Sequence, residues 1–147
     1  MCRTDYGEGQ KAEGTVPDVI EIMTEARGTI DAIFESRDEN LKIPNIDTKN
    51  EMVDYVRSIM SLELGSWFAE TYFEEKHDGL YVIPKDGLTW LDINISYNVE
   101  ELNEREVRVI QERDTAMLGH RKMIYTLHYD GENWVVDSIE SEVLSDS

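Results

Sequence analysis

The apolar residues of this chain change their period once. Up to about residue 78 they recur at helical spacing, and from Gly79 onward they alternate. A period near 3.6 turns one face of a helix to the core, and a period of two turns one face of a strand there. Helical patterns first and alternating patterns last confine the chain to α+β, with N-terminal helices packed on a strongly curved antiparallel β-sheet.

The first helix is expected from Thr15-Val16-Pro17-Asp18, which offers a capping hydroxyl, a proline near the first helical position and an acid at the positive helix end. Ile20, Met23, Ile30, Ile33 and Phe34 carry its apolar face to about residue 36. Gly28 weakens the middle of such a helix by about 1 kcal/mol relative to alanine, so close packing or a bend is expected there. Thr48-Lys49-Asn50-Glu51 has the spacing of a capping box and starts a second helix, with Met52, Val53, Val56, Ile59 and Met60 as its stripe. Gly65 is expected to end it in the left-handed conformation. A third, shorter helix carries Trp67, Phe68, Tyr72 and Phe73 and ends near His77-Asp78-Gly79.

Leu80 to Ile83 then reads as a short strand closed by the turn Pro84-Lys85-Asp86-Gly87. Leu91, Ile93, Ile95, Tyr97 and Val99 alternate with Asp92, Asn94, Ser96 and Asn98, which predicts a long strand with one buried face. A loop over Leu102 to Glu104 would set Val99 opposite Val107 and Tyr97 opposite Val109, and so keep charge out of the core row. The last two strands, His120 to Tyr129 and Trp134 to Glu140, flank the turn Asp130-Gly131-Glu132-Asn133. Pairing Tyr129 with Trp134 sets Leu127 opposite Val136 and Tyr125 opposite Ser138. The other face pairs His128 with Val135, Thr126 with Asp137 and Ile124 with Ile139. It predicts an apolar outer patch suited to a homodimer contact or to a terminal segment.

Charge is the strongest global property. Thirty-two acidic residues stand against fourteen basic ones, for a net −18. That sign repels nucleic-acid phosphates and anionic lipid headgroups, so nucleic acid is set aside as a partner. The single cysteine, Cys2, has no intrachain partner, and no apolar run approaches the length of a membrane span. Residues 1–16 read as a flexible polar leader, and residues 17–147 as one domain. A cysteine followed by a polar tether resembles a mature bacterial lipoprotein, with Met1 in place of the removed signal peptide. Lipidation at Cys2 and an extracytoplasmic, membrane-anchored location are the resulting expectation. A cytoplasmic protein with an unmodified cysteine is the alternative.

SWFAETYFEE, then HDGLYVIPKDG, then a meander ending in DGENWVVDSIE together resemble the nuclear transport factor 2-like superfamily, and most of all its small extracytoplasmic bacterial members. The resemblance spans roughly residues 17–141. It implies a cone of helices and bent sheet with a pocket at the wide end. The superfamily includes acid-base enzymes, which hold an ionisable base in an apolar pocket. The inward rows expected here are Leu91, Ile93, Ile95, Tyr97; Val107, Val109; Tyr125, Leu127, Tyr129; and Trp134, Val136. They hold no acid or histidine before their ends, and no catalytic residue is assigned.

Trp90 is expected on the outward row and, with Tyr97 and Tyr125, makes the ligand-binding set. Glu70, Glu74, Glu75, His77 and Asp78 are the best metal candidates, with Glu70 and Glu74 one helical turn apart. In so acidic a chain they read as a solvated face, so neither metal nor cofactor is expected. The sequon Asn94-Ile95-Ser96 is expected to be hidden in a strand. The resulting expectation is a non-enzymatic binding or accessory domain of a cell-envelope lipoprotein, acting on a protein, peptide or wall component. An isomerase or dehydratase working inside the cone, and a cytosolic regulatory dimer, are the alternatives.

Overall fold

The computed structural model describes residues 17–85 and 87–144. The leader, Cys2 and Thr15 lie outside the described residues. The order is α1 (Val19–Glu35), α2 (Lys49–Val56), α3 (Leu62–Tyr72), β1 (Phe73–Lys76), β2 (Gly79–Val82), β3 (Asn98–Asn103), β4 (Glu106–Thr115), β5 (Gly119–Tyr129) and β6 (Trp134–Val143). β1 and β2 form a two-stranded antiparallel sheet, and β3-β4-β5-β6 form a four-stranded antiparallel meander. The chain is α+β.

Each helix starts at a side chain that accepts a hydrogen bond from an otherwise unpaired backbone N–H. Asp18, not Thr15, caps α1, taking the Glu21 N–H at 3.1 Å. Thr48 caps α2 through the Glu51 N–H at 3.1 Å, while the Glu51 carboxylate reaches back to the Asp47 N–H at 2.7 Å. Ser61 caps α3 through the Leu64 N–H at 3.1 Å.

Four helical expectations change. The buried stripe of α1 is Val19, Met23, Ala26, Ile30 and Ile33, and Ile20 stands 43% exposed. Gly28 neither packs closely nor marks a bend enforced by a neighbour, because a Cβ built there meets nothing within 4 Å. Gly65 does not end α2, which already stops at Val56; it lies inside α3 with Val56 3.2 Å from where a Cβ would stand. The glycine thus sets the close approach of α2 and α3. α3 ends at Tyr72, and Phe73 opens β1 instead of closing a helix. Phe34, Phe68, Tyr72 and Phe73 join in edge and stacked contacts with centroids 5.2 to 5.9 Å apart, which tie α1 to α3 and the small sheet.

The meander keeps the expected end and changes the rest. Tyr129 pairs with Trp134, His128 with Val135 and Leu127 with Val136. The turn is held by the Asp130 carboxylate, which accepts the N–H groups of Asn133 at 2.8 Å and Glu132 at 2.9 Å; those two bonds hold its pKa below the ordinary value. Gly131 carries the positive φ of 107° that this turn requires. The register then slips between Thr126 and Leu127, so Thr126 faces Ser138 and Tyr125 faces Ile139. Asp137 is the extra residue of this bulge. The slip carries Ile139 from the expected outer row to the inward one, where it packs against the core. Val135 is buried, and Ile124 is half-buried opposite Glu140.

β3 is shorter than expected, and its residues are exposed throughout. A bulge between Glu101 and Asn103 sets Val99 opposite Val109 and Glu101 opposite Val107, so neither expected pair forms. Residues 88–97 are not a strand. The Asp92 carboxylate captures the Asn94 N–H at 2.9 Å, and the Asp92 carbonyl accepts from the Ile95 N–H at 3.1 Å. That local turn competes with an extended ladder. Leu91 stays buried, while Ile93 and Ile95 are 48% and 39% exposed. Asn94 and Ser96 of the sequon are exposed as well.

One core joins the helices to the inward face of the meander: Met23, Ile30, Val56, Phe68, Val107, Val109, Tyr125, Leu127 and Val136 all belong to it. The β6 edge is covered by backbone from residues 59–61. The Val136 N–H donates to Ile59 and the Ser61 N–H donates to Val136, each at 2.9 Å. This single bridge pairs both backbone groups that Val136 presents at the sheet edge.

Candidate functional site

The inward rows run further than their apolar residues. On β4 the row Val107, Val109 continues to Gln111 and Arg113. On β5 the row Leu127, Tyr125, Met123 continues to Arg121. Gln111 is fully buried. Arg113 and Arg121 are registered directly opposite one another near the β4–β5 turn. Directly opposed residues on one face have Cβ atoms about 5 Å apart, and like charges so placed repel.

Three polar residues of these rows hold the irregular segment before β3 against the sheet. The Tyr125 hydroxyl donates to the Thr89 carbonyl at 2.9 Å. The Gln111 amide donates to the carbonyls of Asp92 at 2.8 Å and Ile95 at 3.0 Å, and its oxygen accepts the Asp92 N–H at 3.0 Å. Arg113 donates to the Trp90 carbonyl at 3.2 Å. Burial pushes the Tyr125 hydroxyl far above its ordinary pKa, with the Arg113 charge opposing more weakly, so it remains a donor.

Between this segment, α1 and the β4–β5 turn lies a cleft of about 850 Å³. Leu88, Trp90, Met117 and Leu118 give it apolar walls, and Arg27, Arg113 and Arg121 give it positive charge. Among the described residues Asp92 is the one acid that lines it, with Oδ2 4.0 Å from Arg113 Nη2. Arg113 is largely buried, and its Nε–H meets no acceptor among the described residues. Arg121 donates to the Leu118 carbonyl at 2.8 Å and the Ser141 hydroxyl at 2.7 Å, neither of them charged. Arg27 pairs with Asp31 one turn along α1 at 3.6 Å, both exposed.

The expected ligand-binding set does not assemble as such. Trp90 lines the cleft but is 9% exposed, not outward, because the strand that would have turned it out does not form. Tyr125 is wholly buried beneath the segment and serves as its tether. Tyr97 packs half-buried against the core, away from the cleft lining. Trp67, expected on the apolar face of the third helix, is 45% exposed and makes an edge contact to the Tyr72 ring at 5.8 Å. The acidic cluster also dissolves. Glu70 on α3 pairs with Lys49 at 3.2 Å, Glu75 on β1 accepts the Lys49 N–H at 2.9 Å, and Asp78 accepts from the Tyr81 hydroxyl at 3.0 Å. Glu74 lies on β1, so it is not a helical turn from Glu70. Among the described residues no three acids, histidines or cysteines come together as metal ligands.

The arginine pair escaped a reading that followed only apolar residues. Counting the alternation on through Gln111 and Arg113, and back from Met123 to Arg121, is the signal that finds it. No protein-family model matches the chain, and no curated protein matches it.

Proposed function

We propose that this chain is a non-enzymatic binding domain that takes a ligand into the cleft beside Trp90. The observation that carries this reading is the fixed frame of the cleft. Its wall from Gly87 to Asp92 is tied to the sheet by Tyr125, Gln111 and Arg113, so a binding surface exists before any ligand arrives. The volume falls within the range of small-molecule and short-peptide sites. A nuclear transport factor 2-like fold, with helices ahead of a meander and packed on its inward face, belongs to the same proposal.

Equilibrium dialysis of wild type and Trp90→Ala against a fractionated cell-envelope extract, followed by mass spectrometry of retained compounds, tests the reading. Retention by wild type, loss in Trp90→Ala and no conversion of the compound support a binding domain. Conversion over time would favour the isomerase or dehydratase alternative, and no retained compound would overturn the site. The lipoprotein assignment rests on Cys2 alone. Diacylglycerol on the N-terminal peptide of protein from its native host supports it, and a free thiol there removes it.

A further inference from the structure

We infer that the Arg113–Arg121 pair, with Arg27 beside it, binds an oxyanion: a carboxylate or phosphate group carried on a small apolar body. This rests on the binding-domain reading and names its ligand class. Three observations carry it. The register of β4 and β5 sets two arginines directly opposite on one face, where their like charges are unfavourable and an anion between them would relieve the repulsion. Acids offset this charge only in part. Asp92 makes a long ion pair with Arg113 at 4.0 Å, beyond hydrogen-bonding distance, and Arg27 pairs with the exposed Asp31 at 3.6 Å, while Arg121 is held by a carbonyl and a hydroxyl. The guanidinium bonds that do exist, to the carbonyls of Trp90 and Leu118, fix the orientation of both side chains without consuming their charge.

The surroundings fit such a ligand. In a chain of net −18, three arginines lining one cleft are a local reversal of sign. The planar forks of arginine match the paired oxygens of carboxylate and phosphate. Trp90, Leu88 and Leu118 then offer apolar surface to the rest of the molecule.

Calorimetric titration of the full chain with benzoate, phenyl phosphate and neutral benzamide reads the inference. The two anions are expected to bind about tenfold or more tightly than benzamide, and the stronger of them names the group as carboxylate or phosphate. Arg121→Gln is expected to lose about tenfold in anion affinity, and Arg121→Lys to keep part of it. Thermal unfolding of each variant, together with the wild-type anion preference itself, keeps a folding defect from being read as lost binding. Benzamide binding as tightly as benzoate would overturn the anion inference and leave the binding domain standing. Anion binding untouched by Arg121→Gln would overturn the site. Binding of none of the three probes would overturn the anion inference, and the dialysis of wild type against Trp90→Ala decides the binding-domain reading separately.

Discussion

Gln111 and Asp92 exchange two hydrogen bonds, amide to carbonyl at 2.8 Å and backbone N–H to amide oxygen at 3.0 Å, so that a side chain takes the place of a neighbouring strand. The fully buried Gln111 thereby satisfies backbone that has left the ladder. Gln111→Leu keeps the volume and strands those groups. It should destabilise the fold by about 2 kcal/mol, since Asp92 is only half-buried and water can reach part of the gap. Urea unfolding measures it, and amide exchange over residues 88–97 should quicken more than in the β5–β6 hairpin.

Tyr125 makes stability depend on pH at the alkaline end. Burial raises its pKa above the ordinary 10.0, so the native state keeps a proton that the unfolded chain releases. Its contribution is complete below pH 10 and falls as pH rises from there towards the raised native value. Tyr125→Phe loses the bond to Thr89, costing about 1 kcal/mol at neutral pH, and should lose less stability above pH 10 than wild type does. Unfolding midpoints from pH 8 to 11 check both slopes.

Two glycines within helices should respond in opposite ways to alanine. At Gly28, with open space around it, Gly28→Ala should stabilise by about 1 kcal/mol through helix propensity alone. At Gly65 the new methyl would meet Val56 at 3.2 Å in a buried contact, so Gly65→Ala should return none of that gain. Thermal unfolding of the two variants side by side gives the comparison.

Ser61 joins a helix start to a sheet edge. Its hydroxyl caps α3 while its backbone N–H binds Val136. Ser61→Ala should cost about 1 kcal/mol, and Ser61→Asp should recover most of it, because either side chain can accept the Leu64 N–H. Chemical denaturation distinguishes the two.

The parts of this fold that were legible in the sequence are those fixed by local chemistry. Thr48 and Glu51 announced α2, and the Asp130-Gly131 turn announced the pairing of Tyr129 with Trp134. Where a side chain far along the chain decides, local pattern misleads. Leu91 to Val99 alternate like a strand, yet Asp92 turns the backbone and Gln111, nineteen residues away, satisfies it. The bulge at Asp137 moves Ile139 inward without any glycine or proline to mark it. The cleft was half legible. Trp90 was singled out, though for exposure it does not have, while Arg113 and Arg121 look like row ends when polarity is taken to mean solvent.

The most direct test of the arginine cleft is amide and arginine side-chain chemical-shift mapping of the full chain during titration with benzoate. The account predicts saturable shifts confined to residues 87–92, Arg27, Arg113 and 117–121, with the Nε–H resonances of Arg113 and Arg121 moving most. Shifts that avoid these residues, or that spread over the outer sheet face around Ile110 and Ile124, would contradict it.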